Sequence, residues 1–313
     1  MDFRVRSLML VILATCSAGL FSCRKKEMTP ARQPINFNEA VLQKNKEFLA
    51  SPLANTKKGI FEKKLQMQDR VLQEFARCPE CIVRKVVGTQ RNYLFDAVTD
   101  CDTTMRVGTA FDGGKWICNP QSLPNASIVY SFGVGDDISF DIDMAGLFGC
   151  DVHMFDPSPS VAANFANFKS GQLCGRGRIY FQPVGLGPVS GEGKNQWNLV
   201  IEGQKCAVKS LAAIAGSLNH THVDILKIDV EGGEFAALKQ MLSSQSLLSL
   251  GVQQLLVEFH LWNDEAFADF IRIVGALKSQ GFLLFRKEFN PYAADKCAEY
   301  AFVRQPSDQQ PAR

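Results

Sequence analysis

Ile128-Val129-Tyr130-Ser131-Phe132-Gly133-Val134-Gly135-Asp136-Asp137 decides how the rest of the chain is read. An apolar run ends in two glycines one residue apart, and a pair of acids opens the next segment. Such a run predicts a buried strand. Gly133 and Gly135 carry no Cβ and tolerate φ > 0, so the backbone there can approach whatever lies at the strand's carboxyl end. About twenty residues on, Val152-His153-Met154-Phe155 predicts a second strand, closed by Asp156. Strand, glycine turn, helix, strand and acid make one nucleotide-binding half of a doubly wound sheet, the acid placed to accept from ribose hydroxyls. A dinucleotide fingerprint needs a third glycine three residues after Gly135. Ile138 stands there, which disfavours a dehydrogenase.

Working outward, the pattern predicts a helix over about 137–148, a strand over 151–155 and a helix from Ser158 to Lys169 capped by Ser158 or Ser160. A third strand, Arg178–Gln182, runs into Val184-Gly185-Leu186-Gly187. A hairpin insertion is expected within 190–208, and a short helix over Ser210–Leu218. Val223–Asp229 predicts a strand, and Val230-Glu231-Gly232-Gly233-Glu234 opens a helix to about Leu242. Val252–Phe259 is a fifth strand, followed by a helix to Ser279 capped by Asp264. Phe282–Phe289 and Ala298–Val303 close the sheet as an antiparallel pair. Phe132, Phe155, Phe259 and Phe285 fall in strands and are assigned to packing. Upstream, Ile60–Cys78 has helical spacing. In Arg106–Cys118 the Asp112-Gly113-Gly114 turn predicts either a hairpin on the domain's edge or a loop over the ligand mouth, with Lys115 or Trp116 near substrate. The expected organisation is a signal peptide or anchor over 1–23, a linker over 24–59 and a helical and loop extension over 60–126. The main domain spans 127–306, with a disordered tail over 307–313.

A formal net charge of +2 provides no basic field for nucleic acid. The apolar run Leu8–Phe21 lies between Arg4/Arg6 and Arg24-Lys25-Lys26 and is shorter than the usual span of about twenty residues. It fits a cleaved signal, a retained anchor or a lipoprotein signal ending at Cys23. Ten cysteines favour an oxidising compartment. Asn125-Ala126-Ser127 and Asn219-His220-Thr221 are glycosylation acceptors there. Cys78-Pro-Glu-Cys81 has metal-ligand spacing, but no second pair completes a zinc site, so a disulfide or free thiols are expected. The chain is thus placed in the secretory pathway, secreted or type II anchored with a lumenal domain.

Ligands of an open parallel sheet bind beyond the carboxyl ends of its strands. Gly133, Gly135, Asp136, Asp156, Gly185, Asp229, Glu231, Glu258 and His260 all fall there. Five acidic positions and a histidine on one edge suit a nucleoside with free ribose hydroxyls and a cationic centre, as in S-adenosylmethionine. His260 is the first candidate for a general base, with Asp229, Glu231 and Glu258 as the other catalytic candidates. Three carboxylates also suit Mg²⁺, though a site without metal is expected. Glu234 is read as a first-turn helix acid, Lys227 as snorkelling to a carboxylate, and Trp262 as a wall of the acceptor pocket.

Ser131 to Phe140, Phe155-Asp156-Pro157-Ser158 and Leu226-Lys227-Ile228-Asp229-Val230-Glu231-Gly232-Gly233-Glu234-Phe235 resemble the FkbM-type methyltransferases. The branch they are most similar to is the secretory one typified by methyltransferase-like protein 24, which also shares the Asp112–Trp116 turn. The resemblance covers about Arg106 to Val303. It implies a class I methyltransferase fold, Rossmann-like: an α/β, doubly wound, mostly parallel seven-stranded sheet with antiparallel last strands. It also implies S-adenosylmethionine as methyl donor, held by Ser131, Gly133, Gly135, Asp136, Asp156, Pro157, Gly185 and Asp229. The expected activity is O-methylation of a hydroxyl on a small molecule, lipid or glycan. The alternative is a catalytically silent binding protein of the same fold. No nucleic-acid partner is expected, and no membrane contact beyond a possible N-terminal anchor.

Overall fold

The computed structural model describes residues 52–88, 90–110, 112–188 and 197–305. The expected signal or anchor, most of the linker and the tail lie outside the described residues. The chain divides into two compact units, Met1–Thr56 and Lys57–Arg313. The second unit carries the sheet and the candidate site.

Strands in chain order are β1 (Thr104–Val107), β2 (Lys115–Cys118), β3 (Ile128–Phe132), β4 (Asp151–Phe155), β5 (Gln172–Cys174), β6 (Gly177–Gln182), β7 (Gly185–Leu186), β8 (Trp197–Ile201), β9 (Gln204–Lys209), β10 (Ile225–Ile228), β11 (Gln254–His260), β12 (Phe282–Phe289) and β13 (Cys297–Arg304). Helices are α1 (Pro52–Arg77), α2 (Pro79–Lys85), α3 (Gln90–Tyr93), α4 (Ser139–Phe148), α5 (Pro159–Asn164), α6 (Leu211–Ser217), α7 (Glu234–Ser243), α8 (Ser246–Ser249) and α9 (Asp264–Ser279).

The main sheet has the order β12-β13-β11-β10-β3-β4-β6-β5. Strands β6, β4, β3, β10 and β11 are parallel, and β13 inserts antiparallel between β11 and β12. From β3 the chain winds one way to β4 and β6, then returns to β10 and β11 on the other side, so the switch point lies between β3 and β10. Every residue of β10 and β11 is buried, as expected of strands covered on both faces. One core face packs Tyr130, Phe132, Phe155 and Leu226 with Phe235 and Leu238 of α7 and Phe267 and Phe270 of α9. The other packs Val129, Val152, Met154 and Leu256 with Phe140 and Met144 of α4.

Several boundaries differ from expectation. The sheet has eight strands, because β5 adds to β6 as an antiparallel edge. The helix after Ser158 stops at Asn164 rather than Lys169: Phe165 leaves it to stack on Phe181 at 4.3 Å. Neither serine's hydroxyl caps that helix; the carboxylate of Glu202, from the β8–β9 turn, accepts from the Ser160 N–H. Asn263, not Asp264, caps α9, its side chain accepting from the Ala266 N–H at 2.8 Å. Helix α1 starts at Pro52, ahead of the expected Ile60.

The hairpin β1–β2 is fastened at many points. The Cys101–Cys118 disulfide closes its open end. The amide of Gln254 bonds both the N–H and the C=O of Cys118 at 2.8 Å. Gly108 donates to Asp143, and Thr109 donates from its N–H to Ser139 and from its hydroxyl to Asp137. It is a fixed cover, not a swinging loop. The second disulfide joins Cys78 and Cys81.

Tyr130, His153 and Tyr180 lie side by side across β3, β4 and β6. The imidazole of His153 stacks on Tyr180 at 4.3 Å and meets His220 edge-on at 4.7 Å. Burial, then the His220 ring, push its pKa from 6.5 to about 4. The unfolded chain therefore binds a proton below pH 6.5 that the folded chain refuses until about 4, so stability present above pH 6.5 is lost as pH falls through this window. His153→Phe keeps the stack and removes the titration; the His153 Nδ1 has no partner to lose. Urea melts at pH 7 and 5 should show the wild type losing about 2 kcal/mol more than the variant.

Candidate active site

Beyond the carboxyl ends of β3 and β10 the backbones touch. A Cβ on Gly133 would lie 1.5 Å from the Asp229 carbonyl oxygen, and Gly133 has φ 74°. Only glycine closes this contact. The Nζ of Lys227, buried in mid-strand, donates to the Gly133 carbonyl at 2.8 Å, so it anchors the glycine loop instead of seeking a carboxylate. On the other side, Asp156 Oδ2 accepts from the N–H groups of Val134 and Gly135 at 3.0 and 3.1 Å, and Oδ1 accepts from Ser158 at 2.9 Å. Asp156 therefore shapes the loop. A carboxylate has about four acceptor positions, which leaves one for a ribose hydroxyl.

Gly135 has open space in its Cβ direction, and Asp136 beside it is exposed. This side of the loop is open. Pro157 packs on Gly185, whose Cβ would sit 3.0 Å from its ring, past the ends of β4 and β6. Ser131 is fully buried inside β3.

The other half of the site is a row of acids. Glu258, Glu299 and Glu288 are cross-strand partners on β11, β13 and β12, and Asp229, one residue past β10, extends the row. Carboxylates side by side repel, and the hairpin supplies most of the compensation. Lys115, 1% exposed, donates to Asp229 at 3.1 Å and to Glu299. Arg106 Nε and Trp116 Nε1 each meet Glu288 at 2.9 Å. Burial works against the Lys115 charge, but Glu299, Asp229 and Glu258 hold its pKa well above the ordinary lysine value. Burial likewise opposes ionisation of Asp229, yet Lys115 and Lys227 bring it down to about 2. Among the described residues Glu258 makes no ion pair within 4.0 Å; the Asn290 amide donates to it at 2.8 Å. Burial, then Asp229 and Glu299, push it up to about 8, so it holds a proton at neutral pH.

His260 ends β11. Its Nδ1 lies 3.1 Å from Glu234 Oε1, which also accepts from the His260 N–H, and its Nε2 faces Glu231 at 3.4 Å. Glu234 is 0% exposed, whereas Glu231 is 77% exposed. Glu234 is thus more than the expected first-turn acid: it orients a histidine and ties the Gly232 N–H at 2.8 Å. Burial disfavours the imidazolium, but the hydrogen bond and charge of Glu234, then Glu258 and Glu231, raise its pKa to about 9. Trp262 is half-exposed, 5.1 Å from the His260 ring, over Gly232, where a Cβ would clash.

The structure therefore brings Asp229, Glu231, Glu258 and His260 together and gives Asp156 to the glycine loop. Sequence reasoning left Glu234, Glu288, Glu299 and Asn290 out of the site. For Glu299 a signal existed: Ala298, Tyr300 and Phe302 alternate into one core face, which turns Glu299 to the other. The cavity of about 310 Å³ lined by Asn125, Asp151, Arg176 and Arg178 lies at the opposite strand ends.

A doubly wound sheet with an antiparallel penultimate strand, a glycine turn at the switch point and an acid closing the next strand defines a class I methyltransferase, the class whose methyl donor is S-adenosylmethionine. A family profile described as a methyltransferase domain matches residues 79–304, and the chain belongs to that family. It is 28% identical over 139 residues to the probable methyltransferase-like protein 24 of Homo sapiens, 42% of this chain and 32% of that one. It is 30% identical over 134 residues to the Rattus norvegicus protein, with the same shares. The match spans about a third of these relatives' length. Among solved structures, magnesium protoporphyrin IX methyltransferase of Synechocystis with bound S-adenosylmethionine is 18% identical, with a TM-score of 0.35 over 59% of this chain and 73% of that one. Aeropyrum pernix fibrillarin with bound S-adenosylmethionine is 12% identical, with a TM-score of 0.34 over 62% and 80%. Likeness this distant adds nothing to the class assignment.

The two glycines should respond differently to alanine. Gly133→Ala drives a Cβ into backbone and should cost more than about 3 kcal/mol in urea melts. Gly135→Ala carries only left-handed strain of about 1 kcal/mol, so it should stay folded while weakening S-adenosylmethionine binding in calorimetry.

Proposed function

We propose that this chain methylates a hydroxyl group of a small molecule, lipid or glycan, with His260 as general base. The observation that carries the reading is the buried Glu234–His260 pair beside Asp229 at the switch point. S-adenosylmethionine supplies a methyl carbon activated by a cationic sulfur; Gly133, Gly135, Asp136 and Asp156, with Pro157 and Gly185 at the far end, would hold it. In-line methyl transfer is mainly a matter of alignment, and an alcohol acceptor must also lose a proton. With Nδ1–H directed at Glu234, the neutral ring keeps Nε2 as acceptor, aimed past Glu231 at the mouth. Glu234 also stabilises the imidazolium that forms. The acids of the mouth disfavour polyanions, which argues against a phosphate-rich acceptor.

The silent binding protein is the second reading. What favours it is that Asp156 already takes the Val134 and Gly135 N–H groups. Calorimetry of the folded full chain with S-adenosylmethionine separates the two: absence of binding sinks the enzyme. For the enzyme, kcat/KM should climb toward pH 9, where His260 loses its proton. His260→Asn should abolish that limb with a loss of about 10²-fold or more, and Glu234→Gln should move it to lower pH. A wild-type profile flat between pH 6 and 9 would remove His260 from the role.

A secretory location is part of the same proposal, supported by the two disulfides and by Asn125 and Asn219, both exposed on turns. No described helix is long and apolar enough to cross a membrane. Expressed with its own N-terminus in a eukaryotic host, the chain should show an endoglycosidase-sensitive mobility shift that Asn125→Gln/Asn219→Gln removes; lack of any shift would count against glycosylation.

A further inference from the structure

Asp229, Glu258 and Glu299 each place a carboxylate oxygen within 4.8 Å of the others. Three carboxylates at that spacing are a ligand set for a hard divalent cation. A cation already stands among them, and it belongs to the chain: Lys115 reaches in from β2, is 1% exposed, and donates to Asp229 at 3.1 Å and to Glu299. The reach is fixed in several ways. The Cys101–Cys118 disulfide, the two Gln254 bonds to Cys118, and the Arg106 and Trp116 contacts to Glu288 hold β2 over the row. Pairing of Arg106 with Trp116 in the hairpin register turns Lys115 to the opposite side from both.

We propose that Lys115 is a tethered replacement for a divalent metal: it fills the Asp229–Glu258–Glu299 set and keeps Asp229 fixed where its backbone meets Gly133. A metal ion would compete with the ammonium for the same oxygens, and the ammonium is present at high effective concentration because its strand is fastened. Lys115 is a positioning residue. It acts on the site through Asp229, and this role rests on the methyl-transfer reading above, whereas its occupation of the carboxylate set does not.

Mn²⁺ is the probe, followed by loss of the free-ion paramagnetic resonance signal. The wild-type full chain should take up no Mn²⁺ at this site, and its melting temperature should ignore both EDTA and Mn²⁺. Lys115→Met empties the set of its cation. It should melt lower, bind one Mn²⁺ per chain and regain melting temperature as Mn²⁺ is added; Lys115→Met/Asp229→Asn should lose that binding. If Lys115→Met fails to fold, Lys115→Gln removes the ammonium, keeps a hydrogen-bond donor for the carboxylates and all three ligands, and carries the same titration. With an acceptor in hand, Lys115→Met should lower kcat by more than about tenfold while S-adenosylmethionine affinity stays within about threefold. One tight Mn²⁺ on the wild type that Asp229→Asn abolishes would overturn the proposal, and so would Mn²⁺ binding by neither lysine variant. S-adenosylmethionine calorimetry on the same samples keeps the readings apart: a wild type that binds neither Mn²⁺ nor S-adenosylmethionine sinks methyl transfer and leaves the tethered cation standing.

Discussion

The contact between Gly133 and the carbonyl of Asp229 governs the geometry of the site. It is the point where β3 and β10 end together, and a single methyl group would force them apart. Three polar groups hold the arrangement: Lys227 from below, through the Gly133 carbonyl; Asp156 from the side, through two loop N–H groups; and Phe155, whose carbonyl accepts from the Gly133 N–H at 3.0 Å. A turn that would otherwise leave buried backbone groups unpaired has them satisfied. The open flank of Gly135 is a consequence, because the loop's other surfaces are committed.

The acidic row is the opposite kind of construction. Its members are far apart in sequence and become neighbours through strand register alone. Buried carboxylates repel and lose hydration, so each needs an answer, and the answers differ. Glu288 has an arginine and an indole, Asp229 and Glu299 share a lysine, and Glu258 keeps its proton. His260, ringed by Glu234, Glu231 and Glu258, is pulled the other way and holds its proton to higher pH than a free imidazole. Neighbouring groups thus have their titrations driven apart by surroundings, which is what acid–base chemistry near neutral pH requires.

The glycine half was legible in the sequence because its signals are local. A strand running into Gly133-Val134-Gly135, an acid closing the next strand, and Lys227-Ile228-Asp229 each lie within a few residues of what they build. The order of strands, the antiparallel closing pair and the packing role of the phenylalanines could be read the same way. The acidic row was not legible as a row. That Glu258 faces Glu299, and Glu299 faces Glu288, depends on which strands pair and in what register, and no local pattern states it. Lys115 was noticed for its turn, but its burial depends on a disulfide and a Gln254 bridge made across the fold. Glu234 was misread for a different reason: an acid in a first helical turn has an adequate local explanation in the dipole, and that explanation hid its tertiary role. The helix after Ser158 was drawn too long because Phe165 and Phe168 suit an amphipathic helix as well as the stacked cluster with Phe181 they actually form.

These two halves meet at one residue. Asp229 gives its backbone to the glycine loop and its carboxylate to the charged row, so the position of the one fixes the position of the other. The hairpin makes the same link by a second route: Thr109 bonds Asp137 beside the glycine loop, while Lys115, a few residues on, reaches the carboxylates. A displacement of the hairpin would therefore be felt on both sides of the switch point at once. Methyl transfer needs donor and acceptor aligned on one axis, with little other chemistry required from the protein. A fastened hairpin that registers the glycine loop against the carboxylate row is a physical means to such alignment, and much of the buried charge is spent on fastening β1 and β2.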